Sequence, residues 1–203
     1  PENFSPNWGV EGPTGSAPIR RRRLRVAKSI LATIAFSQGV PMLSHGDELG
    51  RTQDGNNNVF CHDSELTWID WELDDDRAEL LESVSKVLQI RRDNGVFRRN
   101  AYFRHDGRGS DDQQQILWLG PDGEAMTPAA WHERRRRTLG MLLYASAADE
   151  LDAKGRQGPR ASALLLLNGG ARSRRFTLPE PPGGGRWRVV LDTARPSTRT
   201  VRT

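Results

Sequence analysis

Two adjacent carboxylates, Asp47 and Glu48, open a segment crowded with side chains that hydrogen-bond sugars or nucleotides: Arg51, Gln53 and the run Asn56-Asn57-Asn58. Planar amide and guanidinium groups in this density suit recognition of vicinal hydroxyls. Asparagines also accept left-handed backbone, so the same run equally shapes a turn. The carboxylates have two readings as well. Either they touch sugar hydroxyls or orient catalytic neighbours, with Glu48 pointing inward, or one of them ties the loop down by accepting backbone N–H bonds. A glycosidase needs carboxylates on opposite sides of the scissile bond, about 5–5.5 Å apart in retaining enzymes. Neighbours in one loop rarely straddle a bond, so the pair alone does not make a catalytic site.

The elements around this segment follow from periodicity. Residues 40–44 carry an apolar run from Val40 to Leu43 without polar alternation, the pattern of a parallel strand covered on both faces. The polar groups begin where that strand ends, and parallel α/β folds gather ligand sites at strand carboxyl ends. Upstream, Ser16 with Pro18 opens a helix that runs to about Gln38, with Ala27, Ile30, Leu31, Ile34 and Ala35 inward and Gly39 as its stop. Downstream, Asp74-Asp75-Asp76 starts a second helix that ends at Arg91-Arg92, with Leu80, Leu81, Val84, Val87 and Leu88 on its core face. The intervening loop is longer than a simple connection. Its Phe60, Trp68, Ile69 and Trp71 imply that it packs. Trp8 is a flat face suited to a glucose ring at the rim.

Beyond Gly95 the pattern changes to short strands: Val96–His105, Gln114–Leu119, Leu139–Ala145, Ala163–Asn168, Arg174–Leu178 and Trp187–Asp192, separated by Pro/Gly-rich turns. These suggest an antiparallel sandwich and a domain boundary near residue 95. The expected fold class is α/β followed by all-β.

Composition narrows the alternatives. The 203 residues carry a formal charge of +4 and are 35% hydrophobic, with 20 glycines. Basic runs at Arg20–Arg23 and Arg134–Arg137 invite a nucleic-acid reading. They read better as solvated faces, because acidic residues nearly balance them and no nucleic-acid motif accompanies them. No apolar run reaches the roughly 20 residues of a membrane helix. The one cysteine, Cys61, excludes an internal disulfide and fits a reducing, cytoplasmic compartment. The four histidines lack zinc spacing. The alternation Asp54, Asn56, Asn58 lacks the closing glutamate of a calcium loop. Neither metal nor cofactor is expected. The opening Pro1-Glu2-Asn3 reads as mid-loop sequence, so the chain is expected to be a piece of a longer protein.

Three segments together resemble the isoamylase-type glycogen debranching enzymes of the α-amylase superfamily. They are Asn7-Trp8-Gly9-Val10-Glu11-Gly12-Pro13-Thr14, the segment from Ser37 to Asn58, and Phe60-Cys61-His62-Asp63-Ser64-Glu65-Leu66-Thr67-Trp68-Ile69-Asp70-Trp71. The resemblance implies that residues 1–95 are the last part of a (β/α)8 barrel, with 40–44 its eighth strand, and that residues 96–203 are a C-terminal β-sandwich. It implies hydrolysis of α-1,6 branch links in glycogen or limit dextrin with retention. The nucleophile, acid/base and stabilising carboxylates would all fall before Pro1, leaving no catalytic residue in this chain and an isolated fragment without activity. Glucan contacts are expected from Trp8, Asp47, Glu48, Arg51, Gln53 and Asn57. His62-Asp63 is not the family's active-site pair, since His62 stands where relatives usually carry glutamine. The alternatives are a non-catalytic α-glucan-binding module or a basic nucleic-acid binder.

Overall fold

In a computed structural model, residues 6–103, 115–148 and 161–196 are described. They divide into two compact units. One runs to Ile90 and is completed by the segment from Val189, and the other is Arg91–Arg188.

In the first unit, helix α1 spans Ala17–Phe36, with Ser16 at the N-cap and Pro18 in the first turn. The Ser16 side chain makes no cap bond, so the fixed φ of Pro18 is the stronger start signal. Helix α2 spans Asp75–Asp93. Asp74 caps it, its Oδ1 accepting the Arg77 N–H at 2.8 Å. Acidic residues in its first turn and Arg91 and Arg92 in its last complement the helix dipole.

Leu31 of α1 packs with Leu80 and Val84 of α2, and Leu24, Ala27 and Leu43 close around them. Each such side chain contributes about 1.5–3 kcal/mol when fully buried. The inward faces differ from expectation at three places. Ile30 is 55% exposed and Leu88 39%, whereas Lys28 is buried at 5%. A lysine is tolerated there because its Nζ donates to Glu79 Oε1 at 2.6 Å and to the Arg195 carbonyl at 2.9 Å. Ser29 Oγ also lies 2.9 Å from Thr193 Oγ1, so the segment around Thr193–Arg195 is tied back onto α1.

Residues 40–44 do not form the expected strand, and no described residue pairs with them. A parallel strand exists only through a neighbour's backbone groups. Burial is also one-sided rather than two-sided. Pro41 and Leu43 border an apolar cavity of about 230 Å³ shared with Leu31, Ala35 and Val87, while Val40 and Met42 stand 89% and 84% exposed. The period of two marks extended backbone with one face in contact and one face open.

In the second unit, strands β1 (Ile116–Leu119), β2 (Thr138–Leu143) and β3 (Ala163–Asn168) form one antiparallel sheet in the order β1-β2-β3. Ile116 pairs with Leu143, and Leu143 with Ala163. Leu142 and Leu143 are the most buried residues of the sheet, at 1% and 0% exposure. A short helix, α3 (Pro128–Trp131), lies in the connection between β1 and β2, capped by Thr127 Oγ1 accepting from Ala130 N–H. Gly123 has φ +86°, and a Cβ there would come within 2.9 Å of the Thr177 carbonyl, so glycine is required.

Three strand candidates fail among the described residues. Residues 95–97 form a 3₁₀ turn, and 104–105 lie outside the described residues, as does Gln114. Residues 174–178 and 187–192 are irregular. The first is held by Thr177 N–H donating to Pro121 O at 2.9 Å, and the second by Trp187 Nε1 donating to Pro179 O at 2.7 Å. Alternation supplies a face but not a partner, and single bonds, one between backbones and one from an indole, stand in place of a ladder here. The sheet thus has three strands, and the second layer of a sandwich and any parallel barrel strand are absent from the described residues.

Candidate functional site

The loop after Leu43 is built on a tight left-handed turn. Gly46 has φ +84°, and a Cβ there would meet Arg51 Cδ at 3.1 Å. Its carbonyl accepts both Leu49 N–H and Arg51 N–H at 3.0 Å. Residues Asp47–Leu49 form one turn of 3₁₀ helix, and Leu49 is buried as its anchor. Asp47 and Arg51 are thereby brought within 3.7 Å of each other, and Arg51 Nη2 donates to Ser44 Oγ at 3.3 Å. Asp47 therefore has a partner inside its own loop. Among the described residues no hydrogen bond or ion pair engages the side chains of Trp8, Glu48, Gln53 or Asn57.

The next turn is shaped by its own polar groups. Asn56 N–H donates to Gln53 O at 2.9 Å, Asn58 N–H to Asn56 Oδ1 at 2.9 Å, and Asp54 N–H to Thr52 Oγ1 at 3.2 Å. The asparagine run thus serves the turn at Asn56 and leaves the Asn57 amide open. Asp54 sits at φ 48°, and Trp8 at φ 56°; they are the two non-glycine residues with positive φ among those described. Such backbone is costly outside glycine and clusters at functional sites.

The segments that carry these two positions are neighbours in space. A Cβ on Gly12 would lie 3.4 Å from Asp54 Oδ1, and a Cβ on Gly55 would lie 3.1 Å from Glu11 Oε1. The segment Asn7–Gly12 therefore abuts the turn at residues 53–56. Within that segment Asn7 Nδ2 donates to Glu11 Oε2 at 2.7 Å, and Asn7 Oδ1 accepts Gly9 N–H at 2.9 Å.

The rest of the loop is organised by Arg77 from α2. Its Nε donates to Leu49 O at 2.9 Å and its Nη1 to Asp70 Oδ2 at 2.6 Å, with further bonds to the carbonyls of Glu72 and Asp70. The Asp70 carboxyl is held below its ordinary value of 3.8, first by the Glu72 N–H that it accepts and then by Arg77. Asp63 accepts the Trp68 indole N–H at 2.7 Å at the surface, and Phe60, Trp68 and Trp71 all stand exposed, so the loop does not pack through them as expected and is held by polar bonds instead.

Sequence reasoning missed Arg77 and, in the basic run, Arg23. The helical spacing of Arg23, Ala27 and Leu31 places that arginine on the inward side of α1, and this was the available signal. Among the described residues no cluster of His, Cys, Asp or Glu is arranged to hold a metal ion, and no helix is long and apolar enough to cross a membrane.

Residues 115–201 match the family described as "Isoamylase, C-terminal". A protein named glycogen operon protein GlgX homolog from Mycobacterium tuberculosis is 39% identical over 198 residues, covering 96% of this chain and 28% of that protein. A glycogen debranching enzyme from Pectobacterium carotovorum is 35% identical over 198 residues, covering 91% of this chain and 26% of that enzyme. One from Dickeya chrysanthemi is 34% identical over 188 residues, with coverage of 93% and 24%. The chain spans about a quarter of the length of these relatives.

Proposed function

The chain belongs to the isoamylase-type glycogen debranching family, and on that premise we propose that it is part of a cytoplasmic glycoside hydrolase that cleaves α-1,6 branch links in glycogen or limit dextrin. In this reading residues 1–95 complete a (β/α)8 barrel, onto which the segment from Val189 returns, and the β-sandwich begins after residue 95. The reacting carboxylates reside in the remainder of the protein, and cleavage proceeds with retention through a pair about 5–5.5 Å apart. This chain's contribution is a glucan-contacting rim: Trp8 offers a ring face, Arg51, Gln53 and Asn57 donate to hydroxyls, and Asp47 and Glu48 accept from them.

The observation that carries this reading is that two abutting segments, 7–12 and 53–56, each hold a left-handed non-glycine residue, Trp8 and Asp54, among side chains without internal partners. Chemistry needs both carboxylates of a glycosidase, so residues 1–203 alone are expected to be inert. The test is release of reducing sugar from phosphorylase limit dextrin, with the anomer followed by NMR. The full-length protein is expected to release the retained anomer and residues 1–203 none. Activity in the short chain, or inversion by the long one, overturns the proposal.

A second reading is non-catalytic α-glucan binding through the sheet unit. It is favoured by Trp131, which is half-exposed and stands edge-on to Trp118 with ring centroids 5.7 Å apart. Glycogen retention of the full-length protein that survives Trp8→Ala but is lost in Trp131→Ala supports it.

A further inference from the structure

The run Arg20–Arg23 is not uniform. Arg20 makes a surface pair with Asp76 at 3.1 Å, and Arg21 and Arg22 are exposed. Arg23 is half-buried, and its whole guanidinium is spent on backbone carbonyls. Nη1 donates to Gly12 O at 2.6 Å, Nε and Nη2 donate to Asn7 O at 3.3 and 2.8 Å, and Nη2 also reaches Val10 O. One planar fork therefore gathers three carbonyls of the segment that carries Trp8. An ammonium group has no such planar fork to offer.

A tryptophan in the left-handed region persists only where its surroundings over-determine it. The carbonyls of residues 7 and 10 bracket Trp8, and both are gripped by Arg23. The same segment lies against Asp54 and Gly55, so holding it also sets its distance from the turn that carries Gln53 and Asn57. Charge is not the reason for this arginine, since it has no carboxylate partner among the described residues.

We infer that Arg23 is a positioning residue for glucan binding: its guanidinium clasps Asn7–Gly12 so that Trp8 is presented beside the 53–57 turn as one rim. This rests on the functional reading above. The substrate-side consequence is an effect on affinity rather than on the chemical step, because Arg23 faces backbone and the reacting acids lie elsewhere.

The test uses the full-length protein and phosphorylase limit dextrin, with kcat and KM measured separately for Arg23→Ala, Arg23→Lys, Trp8→Ala and the double variant Arg23→Ala/Trp8→Ala. Arg23→Ala and Trp8→Ala are each expected to raise KM by about tenfold, with kcat changed by less than about twofold. Arg23→Lys, lacking the fork, is expected to raise KM by several-fold and stay folded by thermal melt. Because the arginine acts through Trp8, the double variant is expected to match Trp8→Ala alone within about twofold. An active enzyme in which the folded lysine variant keeps wild-type KM, or in which the two alanine effects multiply, overturns the inference and leaves the functional reading intact. A wild-type protein inert on limit dextrin overturns that reading and the inference with it.

Discussion

Replacing Arg77 by alanine is expected to loosen residues 49–74 without unfolding the helices beneath them. The magnitude follows from its four acceptors. The Asp70 carboxylate is 68% exposed, so solvent screens that ion pair and the loop's carbonyls carry the effect. The carbonyls of Leu49, Asp70 and Glu72 receive charge-assisted bonds worth about 1.5–3 kcal/mol apiece in a dry setting. Truncation admits water to most of them, since the loop lies at the surface. Counting one carbonyl bond in full gives a net loss of about 2 kcal/mol, or roughly a 30-fold rise in local opening. Alanine is no worse than arginine inside a helix, so α2 itself is not weakened.

Hydrogen exchange with mass spectrometry reads this directly on the full-length protein. Amides closed by local bonds in the loop, such as Asn56, His62, Thr67 and Trp68, are expected to lose about 30-fold in protection. Interior amides of α1 are expected to stay within about twofold. Arg77→Lys keeps the charge and one carbonyl contact and falls between. Unchanged exchange across 49–74 would refute the hub role. An equal loss in α1 would refute its locality.

Three further outcomes follow from the same geometry. The depressed Asp70 carboxyl contributes loop stability that is present above its unfolded value of 3.8 and is lost as pH falls through its lower folded value. The emission of Trp68 and Trp71 is therefore expected to titrate below about pH 3.8 in the wild type and not in Asp70→Asn, and identical curves would count against it. Lys28→Ala removes both the bonds to the Glu79 carboxylate and the Arg195 carbonyl and the packed methylene stem, and is expected to cost about 2–3 kcal/mol in urea unfolding, against about 1 kcal/mol for Lys28→Met, which keeps the packing; equal costs would show that pairing, not packing, sets the effect. Serine at Val40 or Met42 is expected to cost under about 0.5 kcal/mol in residues 1–203. In the full-length protein it is expected to cost about 2 kcal/mol, because the proposed barrel would bury both side chains. Equal costs in the two settings would argue against that barrel.

Both helices were legible in the sequence, because caps and dipole-matched charges are local chemistry. Ser16 with Pro18, and Asp74 with the arginines at residues 91–92, mark their ends to within about two residues. Strand β3 was legible for a similar reason, its run of leucines closing on Asn168 and Gly169. The segments 174–178 and 187–192 were not, because alternation reports which way side chains point and not whether a second backbone is within reach. Residues 40–44 show the same limit: composition marked them as extended, while pairing and burial depend on neighbours. In the candidate site, Asp47, Arg51, Gln53 and Asn57 were visible as a cluster of polar types. Arg77 was not, since an arginine that binds distant carbonyls leaves no sequence spacing to its partners, and Arg23 offered only its helical spacing with Ala27 and Leu31, which marks an inward side chain and not the carbonyls it binds.

The bonds from Lys28 and Ser29 to the stretch at Thr193–Arg195 have a bearing on biosynthesis. They join positions more than 160 residues apart in the chain. A nascent polypeptide emerging at about 5–20 residues per second exposes the buried ammonium of Lys28 for many seconds before its carbonyl partner leaves the ribosome. Throughout that interval water and, once it has emerged, Glu79 must satisfy it. Premature termination ahead of Thr193 would leave this first helix permanently short of its clamp, making it the natural handle for chaperones and proteases that police incomplete chains.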